Sequence, residues 1–365
     1  MKKRLLLCAA LFLLLALPCF AESSEDYAGA LGAERAAEGL PPDAQEALGD
    51  MPVGGADLDG GLEKIWAFVK RHFHTELSAA LRPAAAVTAI AVCCSLGDPL
   101  ALREAGRFDY VSFGGCVAAA AASIADVRGV VAMGAETLQN LGDYSKALLP
   151  TLTTAAAGAG AVTSASAKYA AAALFSDVLL TLARDLVFPL ICAYVAAVSV
   201  GAALGTGQLS GAARLLHWTG KTFLKALTAV FTGYLALTGI LAGGADKAAV
   251  RAAKAALSAA LPVVGAALSD ASESLVAGAG LVRNAIGAFG LLAVLAAVIL
   301  PALRLALRYF LYKAVSAVAG AVAGPRLGGL VEAVSGAYGL VLGLVGTAAA
   351  VQFLSIVSLL LTVTG

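Results

Sequence analysis

Charge is scarce in this sequence. Asp, Glu, Lys and Arg together make up 13% of it, against about a quarter in soluble domains. Hydrophobic residues make up 60%, and the mean hydropathy is +0.87. That balance excludes a water-soluble globule and indicates a chain embedded in lipid. Histidine occurs three times, at His72, His74 and His217. The HxH pair at 72 and 74 would point about 200° apart on a helix, so both read as solvated interfacial residues rather than metal ligands. The six cysteines contain no CxxC and no disulfide framework. Cys8 and Cys19 fall in a leader, while Cys93, Cys94, Cys116 and Cys192 fall in apolar stretches and read as small buried hydrophobes. HExxH, a Walker glycine loop and GxSxG are all missing, and no nucleophile has a plausible histidine base near it in sequence. Nothing therefore argues for an enzyme or a cofactor, and no nucleic-acid partner is expected.

What charge there is lies unevenly. Residues 22–63 hold eleven acids and one base, whereas from Lys64 onward there are 21 bases and 13 acids. Ahead of the acidic stretch, Lys2-Lys3-Arg4 is followed by the apolar run Leu5–Leu17 and by Cys19-Phe20-Ala21. This has the layout of a secretory signal peptide cleaved after Ala21. An uncleaved anchor and a lipid attached at Cys19 are the competing readings, and Pro18 argues against the lipid. Either of the first two readings puts residue 22 onward outside the cytoplasm. Residues 22–60, rich in Gly, Pro, Ala and acid, cannot bury a core and read as an acidic extracytoplasmic arm.

Beyond the arm, Leu62, Trp66, Val69, Phe73, Leu77 and Leu81 recur at helical spacing, with Lys64, Lys70, Arg71, His72 and His74 beside them. The pattern predicts an amphipathic helix at the membrane interface, with Trp66 at headgroup level. Apolar stretches follow at 84–97, 111–133, 186–205, 223–243, 281–303, 305–323 and 334–363. They predict five to seven spans at roughly 20 residues each. The segments Arg214–Lys225 and Arg304–Lys313 each carry three bases or more without an acid. Read as loops, both should face the cytoplasm.

Pro150 and Pro262 are 112 residues apart, and so are Pro189 and Pro301. The same shift lays 111–133 on 223–243 and the segment 150–166 on 262–278. The expected fold is an all-α polytopic membrane protein: a helical bundle with an internal duplication and two broken or re-entrant segments. Its divisions are a signal peptide at 1–21, the acidic arm at 22–60 and the interfacial helix with the first apolar segment at 61–106. Two membrane repeats at 107–218 and 219–330 and a C-terminal membrane helix at 331–365 complete it. Backbone freed from helical bonding is tolerated in lipid only when buried in protein or lining a cavity, and hydroxyls can satisfy it. Matching breaks in two halves point to a binding or conduction site. The candidate polar pathway comprises Thr151, Thr153 and Thr154, the stripe Asp177, Thr181 and Arg184, and Ser269, Asp270 and Glu273 in the second segment. Asp126 and Arg128 also interrupt an apolar stretch. Ionisable groups at membrane depth are costly and often functional. The alternative makes both segments extramembrane loops, with the charges at helix ends or in structural pairs.

From 219 to 313 the sequence resembles the stage III sporulation protein AE family. The likeness rests on Phe231-Thr232-Gly233, Asp246, Arg251, Lys254, Pro262, Gly265, Ser269-Asp270-Ala271, Asn284, Gly287, Gly290, Pro301 and Tyr312, with "LLPTLTT" at 148–154 upstream. The resemblance covers roughly residues 60–365, the acidic arm lying outside it. It implies a multispanning protein of the mother-cell membrane around the forespore, part of a channel-like or secretion-like assembly required during endospore formation. Its implied partners are the other stage III A membrane proteins and, through them, the forespore protein stage II Q. No catalytic residue is carried over. A stand-alone secondary transporter using the two broken segments is the second reading.

Overall fold

A computed structural model of the protein describes residues 37–49, 51–97, 110–158, 160–205, 208–260 and 265–361, and among them there is no strand. The leader and residues 22–36 and 50 of the acidic arm lie outside the described residues; the rest of the arm, expected to bury nothing, packs Leu40, Ala44, Ala47 and Leu48 into the core. A short helix, α1 (Pro42–Leu48), precedes six long ones. These are α2 (Leu58–Gly97), α3 (Tyr110–Gly158), α4 (Val162–Leu204), α5 (Gln208–Ala260), α6 (Gly265–Val322) and α7 (Pro325–Leu360). Among the described residues five helices are long and apolar enough to cross a membrane: α2, α3, α4, the Arg283–Val322 part of α6, and α7. At 1.5 Å per residue each exceeds the roughly 30 Å of hydrocarbon in a bilayer, so the bundle projects beyond it.

The α6–α7 hairpin forms the centre: α2 packs on α6, α3 on both helices, α4 and α5 mainly on α7, and α3 also meets α4. Of the most apolar window in α6, 67% is inside the bundle, against 22% for α2. Lipid is as apolar as leucine, so close packing and polar contacts, rather than expulsion of water, hold helices together at this depth. The hairpin turn shows how closely they pack. Gly324 has φ +90°, and a Cβ on Gly328 would lie 2.5 Å from Gly320 Cα. Two bare backbones thus meet where α6 hands over to α7. The short helix α1 buries Ala44, Ala47 and Leu48, packs on α6, and has its last carbonyl, Leu48 O, bonded by Lys64 Nζ of α2 at 3.1 Å.

Several expectations change here. Pro150 does not break its helix, because α3 runs through it to Gly158. The chain turns instead at Gly160, with φ +91°. Gly160 N–H bonds Ala157 O at 2.9 Å and Ala161 N–H bonds Ala156 O at 3.1 Å, the paired bonds of a Schellman C-cap. Glycine, free to adopt positive φ, ends the helix where proline does not. Pro262 lies outside the described residues, and the chain from Gly265 onward is already helical. Pro189 follows a π-turn, Ala183–Val187, where Phe188 N–H reaches back to Ala183 O. That extra residue accommodates the missing donor. Pro301 sits inside α6.

Arg214–Lys225 and Arg304–Lys313 are not loops; they lie within α5 and α6, and the stretches 281–303 and 305–323 form one helix. In α2, Leu62, Trp66, Phe73 and Leu81 are exposed. The inward face carries Gly61, Ile65, Phe68, Glu76 and a row of alanines. In lipid the bulky apolar stripe can face outward while small residues face the neighbouring helix.

Candidate functional site

The interior holds more charge than the sequence suggested, and it is paired. Arg304, Arg308 and Tyr312 recur every four residues on α6 and so share one face. Arg304 Nη2 reaches Glu76 Oε1 of α2 at 2.8 Å. Arg308 Nε donates to Asp126 Oδ1 of α3 at 3.2 Å, the two side chains being 18% and 14% exposed. Tyr338 OH of α7 donates to the other oxygen, Asp126 Oδ2, at 2.7 Å. Tyr312 stacks edge-on against Tyr338, ring centroids 4.9 Å apart, and neither tyrosine is exposed. Four helices converge on two carboxylates and two guanidiniums whose charges cancel. Such a neutral array can persist at membrane depth, where an isolated charge costs several kcal/mol.

The array lies 13 residues along α7 from its start at Pro325, roughly 20 Å at helical rise. Beside the array along α6, a polar cavity of about 150 Å³ is lined by Pro301, Arg304, Glu136, Asn140 and Asp43. Ala297, whose carbonyl Pro301 deprives of a helical donor, lines it too. Freed backbone beside a polar cavity is thus found at Pro301. Toward the α6–α7 turn, Lys313 pairs with Glu332, and Glu332 lines a larger cavity of about 530 Å³. Elsewhere in the bundle, Lys168 of α4 donates to Ser358 O at 2.7 Å, capping one of the last carbonyls of α7.

The residues singled out in sequence are not gathered in one place. Thr151, Thr153 and Thr154 sit on α3 and turn their hydroxyls back to Ala147 O, Leu149 O and Thr151 O at 3.3, 2.6 and 2.8 Å. They satisfy their own helix just after Pro150 and line none of the cavities described here. Asp177, Thr181 and Arg184 form a stripe as expected, but it is exposed on the outside of α4. Arg184 belongs to the π-turn, twenty residues or roughly 30 Å from the end of α4. That distance is the thickness of the hydrocarbon layer, so the stripe falls at a membrane boundary if α4 ends at the other. Ser269, Asp270 and Glu273 lie on the first turns of α6, their side chains outside the described residues. Glu76, Arg304 and Tyr338 had no reading as site residues. The signal for Arg304 was its spacing by four from Arg308 and Tyr312 within an apolar helix; Tyr338 has no such neighbour. Among the described residues no cluster could hold a metal ion.

Fold and site together define a polytopic helical membrane protein with an internally neutralised charged core. The model of the stage III sporulation protein AE family matches residues 50–363. The chain belongs to that family, a family of membrane proteins of sporulation. Comparison with curated proteins and with solved structures finds no match.

Proposed function

We propose that this chain is a membrane subunit of the channel-like or secretion-like assembly that connects mother cell and forespore during endospore formation. The observation that carries the reading is the family match over 50–363, which takes in every long helix. Its partners are the other stage III A membrane proteins and, through them, the forespore protein stage II Q.

The leader sets an orientation: an exported or anchored N-terminus puts the start of α2 outside the cytoplasm, and the antiparallel helices then put the end bearing Arg214 and Arg326 on the cytoplasmic side. The start of α2 and the acidic arm then lie on the extracytoplasmic side of the mother-cell membrane. The stand-alone transporter reading has less support, because Thr151–Thr154 and the Asp177 stripe share no cavity.

The test is capture of the tagged full chain from cross-linked sporulating cells. Recovery of the other stage III A proteins supports the reading. Their absence from the captured material, together with solute movement by the purified chain alone in vesicles, would replace it with the transporter.

A further inference from the structure

The cavity of about 530 Å³ beside the α6–α7 turn lies where α4 ends, α5 begins and α7 begins. Three helix termini meet there, at one end of the bundle. Exposed Trp218 and Leu215 on α5 have the aromatic and aliphatic character of a membrane boundary. One wall of the cavity is apolar and small: Ala197, Val198, Gly201 and Ala202 of α4.

The polar lining is basic. Arg214 and Arg326 both border the cavity, and both are exposed with no hydrogen bond or ion pair among the described residues. The guanidinium of Arg326 is held against the α4 terminus, since a Cβ on Gly205 would meet its Cζ at 2.7 Å. The one carboxylate, Glu332, is already neutralised by Lys313. On the floor, Tyr194 and His217 stack with ring centroids 5.2 Å apart and planes 16° apart. Tyr194 is 7% exposed, and its hydroxyl has no hydrogen-bond partner among the described residues. The buried Nε2 of His217 also lacks one. Both atoms converge on Gly336: a Cβ there would lie 3.1 Å from Tyr194 OH and 3.3 Å from His217 Nε2.

Two unpaired guanidiniums at the mouth, the unpartnered Tyr194 hydroxyl on the floor and an apolar wall beneath describe an anionic amphiphile. Arginine forks match phosphate oxygens in bidentate geometry, and basic pockets between helices at the cytoplasmic level suit acidic lipid headgroups. We propose that this cavity binds the phosphodiester headgroup of an anionic phospholipid. Arg214 and Arg326 hold the phosphate, the Tyr194 hydroxyl bonds the headgroup, and the chains lie along the α4 wall. A phosphate free in solution offers the same anion without the apolar part, so the two sources are separable.

The test titrates the full chain, purified in a neutral detergent, with phosphatidylglycerol, phosphatidylcholine or inorganic phosphate. Unfolding temperature and native mass spectrometry of bound lipid are the readouts. Phosphatidylglycerol is expected to raise the unfolding temperature and remain bound, while phosphatidylcholine does neither. Arg214→Gln with Arg326→Gln should weaken phosphatidylglycerol binding by about tenfold or more. Tyr194→Phe, which removes one hydroxyl and keeps the ring, should weaken it about threefold to tenfold and serves if the double variant does not fold. Equal effects of the two lipids, or wild-type affinity in both variants, would overturn the proposal. Equal stabilisation by inorganic phosphate would overturn the lipid assignment.

Discussion

The pair Asp126–Arg308 allows the sharpest test of the charged core. Asp126 accepts from Arg308 at 3.2 Å and from Tyr338 at 2.7 Å, through different oxygens. Asp126→Asn keeps the shape and an acceptor for Tyr338 but leaves the Arg308 guanidinium without its counter-charge. Removing one partner of a buried pair costs about 3–5 kcal/mol, and here lipid supplies no water to soften the loss. Arg308→Met leaves Asp126 charged, still bonded by Tyr338, and should cost about the same. The double variant Asp126→Asn with Arg308→Met removes both charges and should be closer to wild type than the sum of the two losses. The assay is a double-mutant cycle on unfolding in mixed detergent. Hydrogen bonds between membrane helices average about 0.6 kcal/mol in such cycles and reach about 1.7. A coupling above about 2 kcal/mol would identify a desolvated ion pair. Coupling near zero, with both single variants within about 0.5 kcal/mol of wild type, would refute the argument that this array holds four helices together.

The remaining expectations follow from backbone geometry and capping. Gly328→Ala would press a Cβ to 2.5 Å and 2.8 Å from the Cα and N of Gly320, so thermal unfolding should show a loss of about 1–3 kcal/mol or more. Gly329→Ala, with nothing within 4 Å of the added carbon, should match wild type or exceed it by about 0.5–1 kcal/mol. Pro150→Ala should leave the fold intact and stability unchanged or higher, because α3 is continuous there. Gly160→Ala, at φ +91°, should cost roughly 1–2 kcal/mol on the same measurement. Lys168→Met removes the donor to Ser358 O at 2.7 Å and should cost about 1–3 kcal/mol, read as faster hydrogen exchange at the end of α7.

Much of the architecture was legible. Apolar runs of 20 residues or more, few charges and glycine-rich helices dictate a polytopic bundle whatever the detail. The family was legible too, from local strings such as Ser269-Asp270-Ala271. What the sequence hid depends on which face of a helix points where. In water the stripe Leu62–Trp66–Phe73 would have to be the inner face of α2; here it is the exposed one, and Ala80 and Ala84 pack inward. Proline misled too: the hydroxyls of Thr151, Thr153 and Thr154 turn back to carbonyls of their own helix rather than to a cavity, and α3 runs through Pro150 and stops at Gly160. Asp126 and Arg308 are 182 positions apart, and no local spacing reveals such a pair. The basic run Arg304–Lys313 therefore read as a cytoplasmic loop, although Arg304, Arg308 and Lys313 each have a carboxylate partner on another helix.

The most direct measurement uses a late forespore reporter in the spore-former that carries this gene, after the gene is deleted. The account predicts that the reporter falls to background once the forespore is engulfed, that the full chain restores it, and that the Asp126→Asn chain restores less. Normal reporter activity and a normal yield of heat-resistant spores in the deletion strain would contradict it.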